Sequence, residues 1–175
     1  YRDIFIVSRV CGICNAVHAD CYVRALEQIL DMEPNRRAKH LRVLSMELER
    51  IHSHMLINAV MAEIVGFETL FMQIMLDRER VMKAKEILTG NRVSADFMMV
   101  GGVRRDIDEV KRDKIKEILL KLKPRVAYYK KVFEEDETIT KRLIDVGRIS
   151  YVDATSHSFV GPLARASGVL SLIHI

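Results

Sequence analysis

The chain has 175 residues, enough to bury a core of its own; 49% are hydrophobic and 30% charged, with both signs interleaved, and this excludes a disordered or low-complexity protein. Lys plus Arg less Asp plus Glu is 28 − 24, a net charge of +4, too mild and too scattered to indicate nucleic-acid binding. No apolar run approaches the roughly 20 residues of a membrane span, and no signal peptide precedes the first motif, so any membrane association is expected to come through a partner.

Along the chain, Ile4 to Val7 is apolar and β-branched and reads as a short strand or loop leading to a cysteine segment. A helix is expected from Asn15 to Leu30, with Val17, Cys21, Ala25 and Ile29 forming its apolar stripe and Cys21 a small buried hydrophobe. Pro34 and Asn35 start a second helix, whose stripe of Leu41, Leu44, Leu48, Ile51, Met55, Ala59 and Ala62 marks a long buried face ending at Gly66. A third runs from Glu68 to Leu88 and stops at Gly90 and Asn91. Residues 92–106 read as an apolar loop. Ile107, Val110, Ile115, Ile118 and Leu122 mark a fourth helix broken before Pro124, and one or two more are expected between Arg125 and Val146. From Asp153 to Gly168 a short helical piece gives way to an irregular segment. The fold class expected is mainly α, a bundle of long helices with a short N-terminal strand or loop carrying a CxxC motif.

The chemistry is concentrated in RVCGICNAVH, which holds Arg9, Cys11, Gly12, Cys14 and His18. Two cysteines three apart at a helix N-terminus can aim both sulfurs at one point, and the helix end is expected to favour thiolates. Such a pair suits a soft metal. By spacing alone two readings stand: a thioredoxin-like redox pair, which belongs in a βαβ setting this helical pattern lacks, and a structural zinc site of Cys11, Cys14, His18 and Cys21; a third comes from resemblance.

The same ten residues resemble the first metal-binding motif of nickel-iron hydrogenase large subunits. ELERIHSHM (Glu47–Met55), GFETLFM (Gly66–Met72), TGNR (Thr89–Arg92), GGVRRD (Gly101–Asp106) and GPLARASGV (Gly161–Val169) are similar to segments of the energy-converting, complex I-related group, in the same order. The resemblance implies that Cys11 is a terminal thiolate on nickel and Cys14 bridges nickel and iron, the iron carrying carbon monoxide and cyanide. It places His18 beside a ligand sulfur, and Arg9 either orienting the loop or near the centre's anionic ligands. It implies reversible oxidation of hydrogen, with electrons passing to an iron-sulfur small subunit and a ferredoxin-type carrier. It also implies membrane subunits that hold the protein on the inner, cytoplasmic face of the cell membrane; the mild charge, for its part, argues for no nucleic-acid partner. The alternative is a complex I-like NADH/quinone oxidoreductase homologue, a scaffold or quinone-site subunit without metal; retention of Cys11 and Cys14 separates the two.

Many members of the group have glutamate before the motif's arginine, where this chain has Ser8. A proton-relay role for that glutamate therefore does not transfer. The family's second cysteine pair has no counterpart here, so residues 1–169 read as a piece of a large-subunit domain that is inactive by itself. Residues 170–175, LSLIHI, resemble a translated transposon-adapter end and read as a non-native tail, His174 included. Arg104, Arg105 and Arg165 in glycine-bearing segments, and His54 on the second helix, are weaker candidates for anion or partner contacts.

Overall fold

The computed structural model describes residues 2–170, so residues 171–175 of the LSLIHI tail lie outside it. It is mainly helical, as the apolar periodicity predicts. The elements are α1 (Asp3–Val7), a 3₁₀ turn (Ser8–Val10), α2 (Asn15–Ile29), α3 (Arg36–Ile64), α4 (Glu68–Thr89), β1 (Met98–Met99), β2 (Gly102–Val103), α5 (Glu109–Glu135), α6 (Glu137–Leu143), α7 (Tyr151–Ser156) and α8 (Gly161–Ala166). Two compact units divide the chain, one running to Phe133 and one from Glu134 onward.

In the first unit, α3 and α4 form a long helical hairpin. The side chain of Asn35 caps α3 by accepting from the Ala38 amide at 2.8 Å. Leu41, Leu48, Met55, Ala59 and Ala62 are buried as the stripe predicts, meeting Leu70, Ile74, Val81 and Leu88 in the core. Gly66 and Gly90, at φ +77° and +84°, end the two helices in the left-handed conformation that glycine accepts without strain.

Four expectations are corrected in the first unit. Ile4 to Val7 is helix, not strand: among the described residues the only ladder is β1 with β2, so this run has no edge to join and closes its backbone bonds locally. Residues 92–106 are not all loop, since β1 and β2 pair antiparallel with Met98 opposite Val103 and Met99 opposite Gly102. The fourth helix does not break before Pro124. It runs through that residue, losing one backbone bond, because Ile115 and Leu122 before it and Tyr129 after it are all buried.

The fourth correction is the face of α2. Val17 and Ile29 are 50% and 78% exposed, and Cys21 is exposed as well. The buried arc is Asn15, Ala16, Ala19, Asp20, Val23 and Glu27. Two polar residues on this arc, Asn15 and Glu27, are tied to other elements, and their bonds outweigh the apolar stripe in setting the helix's rotation. Glu27 forms a buried bidentate pair with Arg42 of α3 at 2.5 and 2.9 Å and also accepts from the Gly101 amide at 2.7 Å. Arg42 donates onward to the carbonyls of Met99 and Gly102, so this pair pins the β1–β2 hairpin to α2 and α3.

In the second unit, Asp136 caps α6 and Ser150 caps α7. The stretch expected to be irregular after a single helical piece holds a second short helix, α8, with Pro162 in its first turn. Arg165 lies exposed on α8.

Candidate metal centre

Cys11, Gly12 and Ile13 form a bend between the 3₁₀ turn and α2, whose N-cap is Cys14. The sulfurs of Cys11 and Cys14 and a ring nitrogen of His18 lie within 4.8 Å of one another, all three residues half-buried. His18 reaches the sulfurs because it follows Cys14 by one helical turn. Cys21 is not in the group. It sits on the exposed stripe, so the four-ligand zinc arrangement is not assembled.

The two thiols are inequivalent. The hydrogen bond from Cys14 and backbone N–H groups hold Cys11 below its ordinary value, and the Cys14 amide lies 3.3 Å from its sulfur. Cys14 is pushed up to about 11, first because it donates that bond and then by burial. The helix end therefore does not favour both thiolates, as its position suggests: it is Cys11 that ionises the more readily of the two.

Glu49 accounts for part of this. Cys14 provides no side-chain cap. The buried carboxylate of Glu49, from α3, takes that place, accepting from the Ala16 amide at 2.9 and 3.0 Å and the Val17 amide at 3.1 Å. Its negative charge opposes the positive end of α2 beside the cysteines. Behind it, Lys85 of α4 is 0% exposed, with its Nζ 3.6 Å from Glu49 and 3.4 Å from the Val93 carbonyl. One turn further along α3, His52 is 1% exposed. The Arg78 guanidinium lies 3.0 Å from its Nε2 and can only donate, so Nε2 accepts and the proton sits on Nδ1, which has no partner. Burial, then Lys85 and Arg78, push His52 down to about 4.

The other flank of the cysteine bend is held by Asp96. Arg9 does not turn to the cysteines; it pairs with Asp96 through two bonds of 3.0 Å and donates to the Phe5 carbonyl. Ser8, in the place of the group's glutamate, is buried and donates to Asp96 at 2.5 Å. Asn15, fully buried, accepts from the Ala95 amide at 3.1 Å. Arg104 donates to the Asp96 carbonyl and lies over Phe5, and Arg105 covers Gly90 closely enough that a Cβ there would meet its guanidinium. His54 is exposed on α3, away from the buried arc.

Sequence reasoning singled out the cysteines and His18 but passed over Glu49, Lys85 and Asp96. The first two had a signal: each is a charged residue on the apolar arc of its helix, Glu49 beside Leu48 and His52, Lys85 beside Ala84 and Leu88.

Residues 2–58 match the family model for nickel-dependent hydrogenase, and residues 65–171 match that for the 49 Kd subunit of respiratory-chain NADH dehydrogenase. The chain belongs to this family of hydrogenase and complex I large subunits. It is 39% identical to the membrane-bound hydrogenase subunit alpha of Pyrococcus furiosus over 95% of its own length and 39% of that protein's. With the carbon monoxide-induced hydrogenase of Rhodospirillum rubrum it shares 37% identity over 96% of its length and 47% of the relative's. The membrane-bound sulfane sulfur reductase, an archaeal respiratory membrane complex, contains a chain of the same fold, with a TM-score of 0.89 and 28% identity over 98% of this chain and 46% of that one. The chain thus spans less than half of the relatives it matches. Among the described residues no helix is long and apolar enough to cross a membrane.

Proposed function

We propose that this chain carries one half of the thiolate site of a nickel-iron hydrogenase large subunit, the catalytic subunit for reversible oxidation of hydrogen to protons and electrons. The observation that carries the reading is the convergence of Cys11, Cys14 and His18 in the segment matched to nickel-dependent hydrogenases. The donor set fits: the two thiols are soft ligands with an imidazole beside them, and the bend is open on the side of Gly12, where an added Cβ would meet nothing within 4 Å.

A nickel-iron centre bearing carbon monoxide and cyanide would supply heterolytic cleavage of hydrogen there. Cys11, already biased toward thiolate, and Cys14, which must give up the proton it holds, would be its ligands, so loading releases a proton from Cys14. His18 would adjust the charge on the sulfurs from one turn away. Arg9, turned to Asp96, would act by holding the approach to Cys11. A second cysteine pair from the remainder of the large subunit would complete the ligand set. Electrons would pass to an iron-sulfur small subunit and a ferredoxin-type carrier, and membrane subunits would hold the assembly on the inner face of the cell membrane.

The second reading is a complex I-like scaffold or quinone-site subunit, favoured by the match of residues 65–171 to the 49 Kd subunit. One experiment separates them. The full-length protein, produced with its partner, is expected to contain nickel and iron and to take up hydrogen, and Cys11→Ser or Cys14→Ser to abolish both. Full metal content and activity in either variant would overturn the assignment.

A further inference from the structure

The bend that carries the cysteines has little packing of its own. Gly12 and Ile13 are exposed and Gly12 has open space around it, so the separation of the two sulfurs must be set from the ends of the segment. On the upstream side Ser8 and Arg9 are tied to Asp96. On the downstream side the first turn of α2 is held by the Glu49 carboxylate, which reaches it from a helix more than thirty residues away. A carboxylate is a strong acceptor for first-turn amides and is favoured at that end of a helix dipole. Buried alone it would be costly; Lys85, with no exposure at all, supplies the opposite charge from behind.

We propose that Glu49, balanced by Lys85, is the positioning residue of the metal-binding segment: by capping α2 at Ala16 and Val17 it fixes the direction in which Cys14 and His18 face Cys11. The inference rests on the metal-site reading above. It makes the α3–α4 hairpin, and not the cysteine loop itself, the element that determines ligand geometry. Neither residue belongs to the group of Cys11, Cys14 and His18; they orient it through the backbone of α2, and the charge of Glu49 also raises both thiols.

The test uses the full-length protein in metal-free form, titrated with nickel(II) alone and followed by thiolate-to-nickel charge-transfer absorption, with the unfolding midpoint and amide hydrogen exchange of Ala16 and Val17 measured alongside. Glu49→Ala is expected to weaken nickel binding roughly 10- to 100-fold, as loss of an orienting partner does at metal sites, and to shift the absorption band. The double variant Glu49→Gln with Lys85→Met keeps an acceptor for the α2 amides and removes both charges together. It should recover affinity to within about threefold of the wild type, because the buried ammonium is no longer left unpaired. Tyr129→Phe, which loosens α5 on α4 away from the cysteines, serves as the stability control and should bind nickel as the wild type does.

Glu49→Ala binding nickel like the wild type, or Tyr129→Phe losing it equally, would make the Glu49–Lys85 pair a core contact only and overturn the proposal. If the wild type binds no nickel, the hydrogenase reading fails, and the exchange data decide the clamp by themselves. Ala16 and Val17 exchanging about tenfold faster in Glu49→Ala than in Tyr129→Phe, the worth of a charge-assisted hydrogen bond, supports it. Equal exchange overturns it.

Discussion

Two buried ion pairs anchor α2 in the first unit, and they differ in what their carboxylates do with the rest of their hydrogen-bonding capacity. Glu27 and Arg42 close on each other bidentately and spend the remainder on the backbone of the β1–β2 hairpin. Glu49 meets Lys85 at the looser distance of 3.6 Å, because its oxygens are committed to the amides that follow Cys14. Both pairs are almost inaccessible to solvent. Burial by itself therefore does not separate a structural pair from one that bears on the site; the groups capped by the carboxylate do.

The largest effect that would sharpen this contrast is expected from Arg42→Ala. It leaves Glu27 charged and buried and the Met99 and Gly102 carbonyls without their donor, so a loss of about 3–5 kcal/mol in denaturant unfolding is expected. The hydrogen bond from Arg42 holds Glu27 below its ordinary 4.5. A depressed carboxyl contributes stability that is fully present above the unfolded value and lost as pH falls through the folded one, so the wild-type midpoint should drop below pH 4.5. In Arg42→Ala that part of the acid slope should vanish; a persisting slope would assign it to other carboxylates.

A second, intermediate effect comes from His52, on the same face of α3 as Glu49. Its folded value of about 4 lies below the unfolded 6.5, so the unfolded chain takes up a proton first as pH falls. Stability should decline progressively between pH 6.5 and pH 4 and change no further from this group below that window. His52→Gln should flatten the decline in a pH series of urea midpoints. An unchanged slope would mean that the ring is solvated and not buried neutral beside Lys85 and Arg78.

The smallest effect belongs to pairs outside the core. Lys121 and Glu117 bond across one turn of α5 with both side chains about two-thirds exposed. Lys121→Ala is expected to change stability by no more than about 0.5 kcal/mol, an effect that moderate salt should erase. A larger, salt-resistant loss would show that the exposed face of α5 carries more than solvated charge.

The long helices were legible in the sequence because their signals are local. The α3 stripe repeats at three and four residues, Asn35 caps it, and Gly66 and Gly90 stop α3 and α4 where only a left-handed residue continues the chain. The cysteine motif was legible for the same reason: CGIC before a helix puts Cys11, Cys14 and His18 within one bend and one turn of one another. The rotation of α2 was not. Its apolar stripe of Val17, Cys21, Ala25 and Ile29 reads as a core face, yet the buried arc is the one whose Asn15 and Glu27 find partners elsewhere. Nor could local patterning show that Ile4 to Val7 lacks a strand to pair with, or that packing on both sides would carry α5 through Pro124.

What the sequence by itself determined is therefore the helical class, the ends of the long helices and the nearness of Cys11, Cys14 and His18, since capping, periodicity and a helical turn act over a few residues. What only the tertiary structure decided is which face of α2 is buried, that Arg9 turns to Asp96 and not to the cysteines, and that Glu49, balanced by Lys85, caps the turn after the cysteines. Those choices depend on groups tens of residues apart, which only the packed fold brings within hydrogen-bond distance.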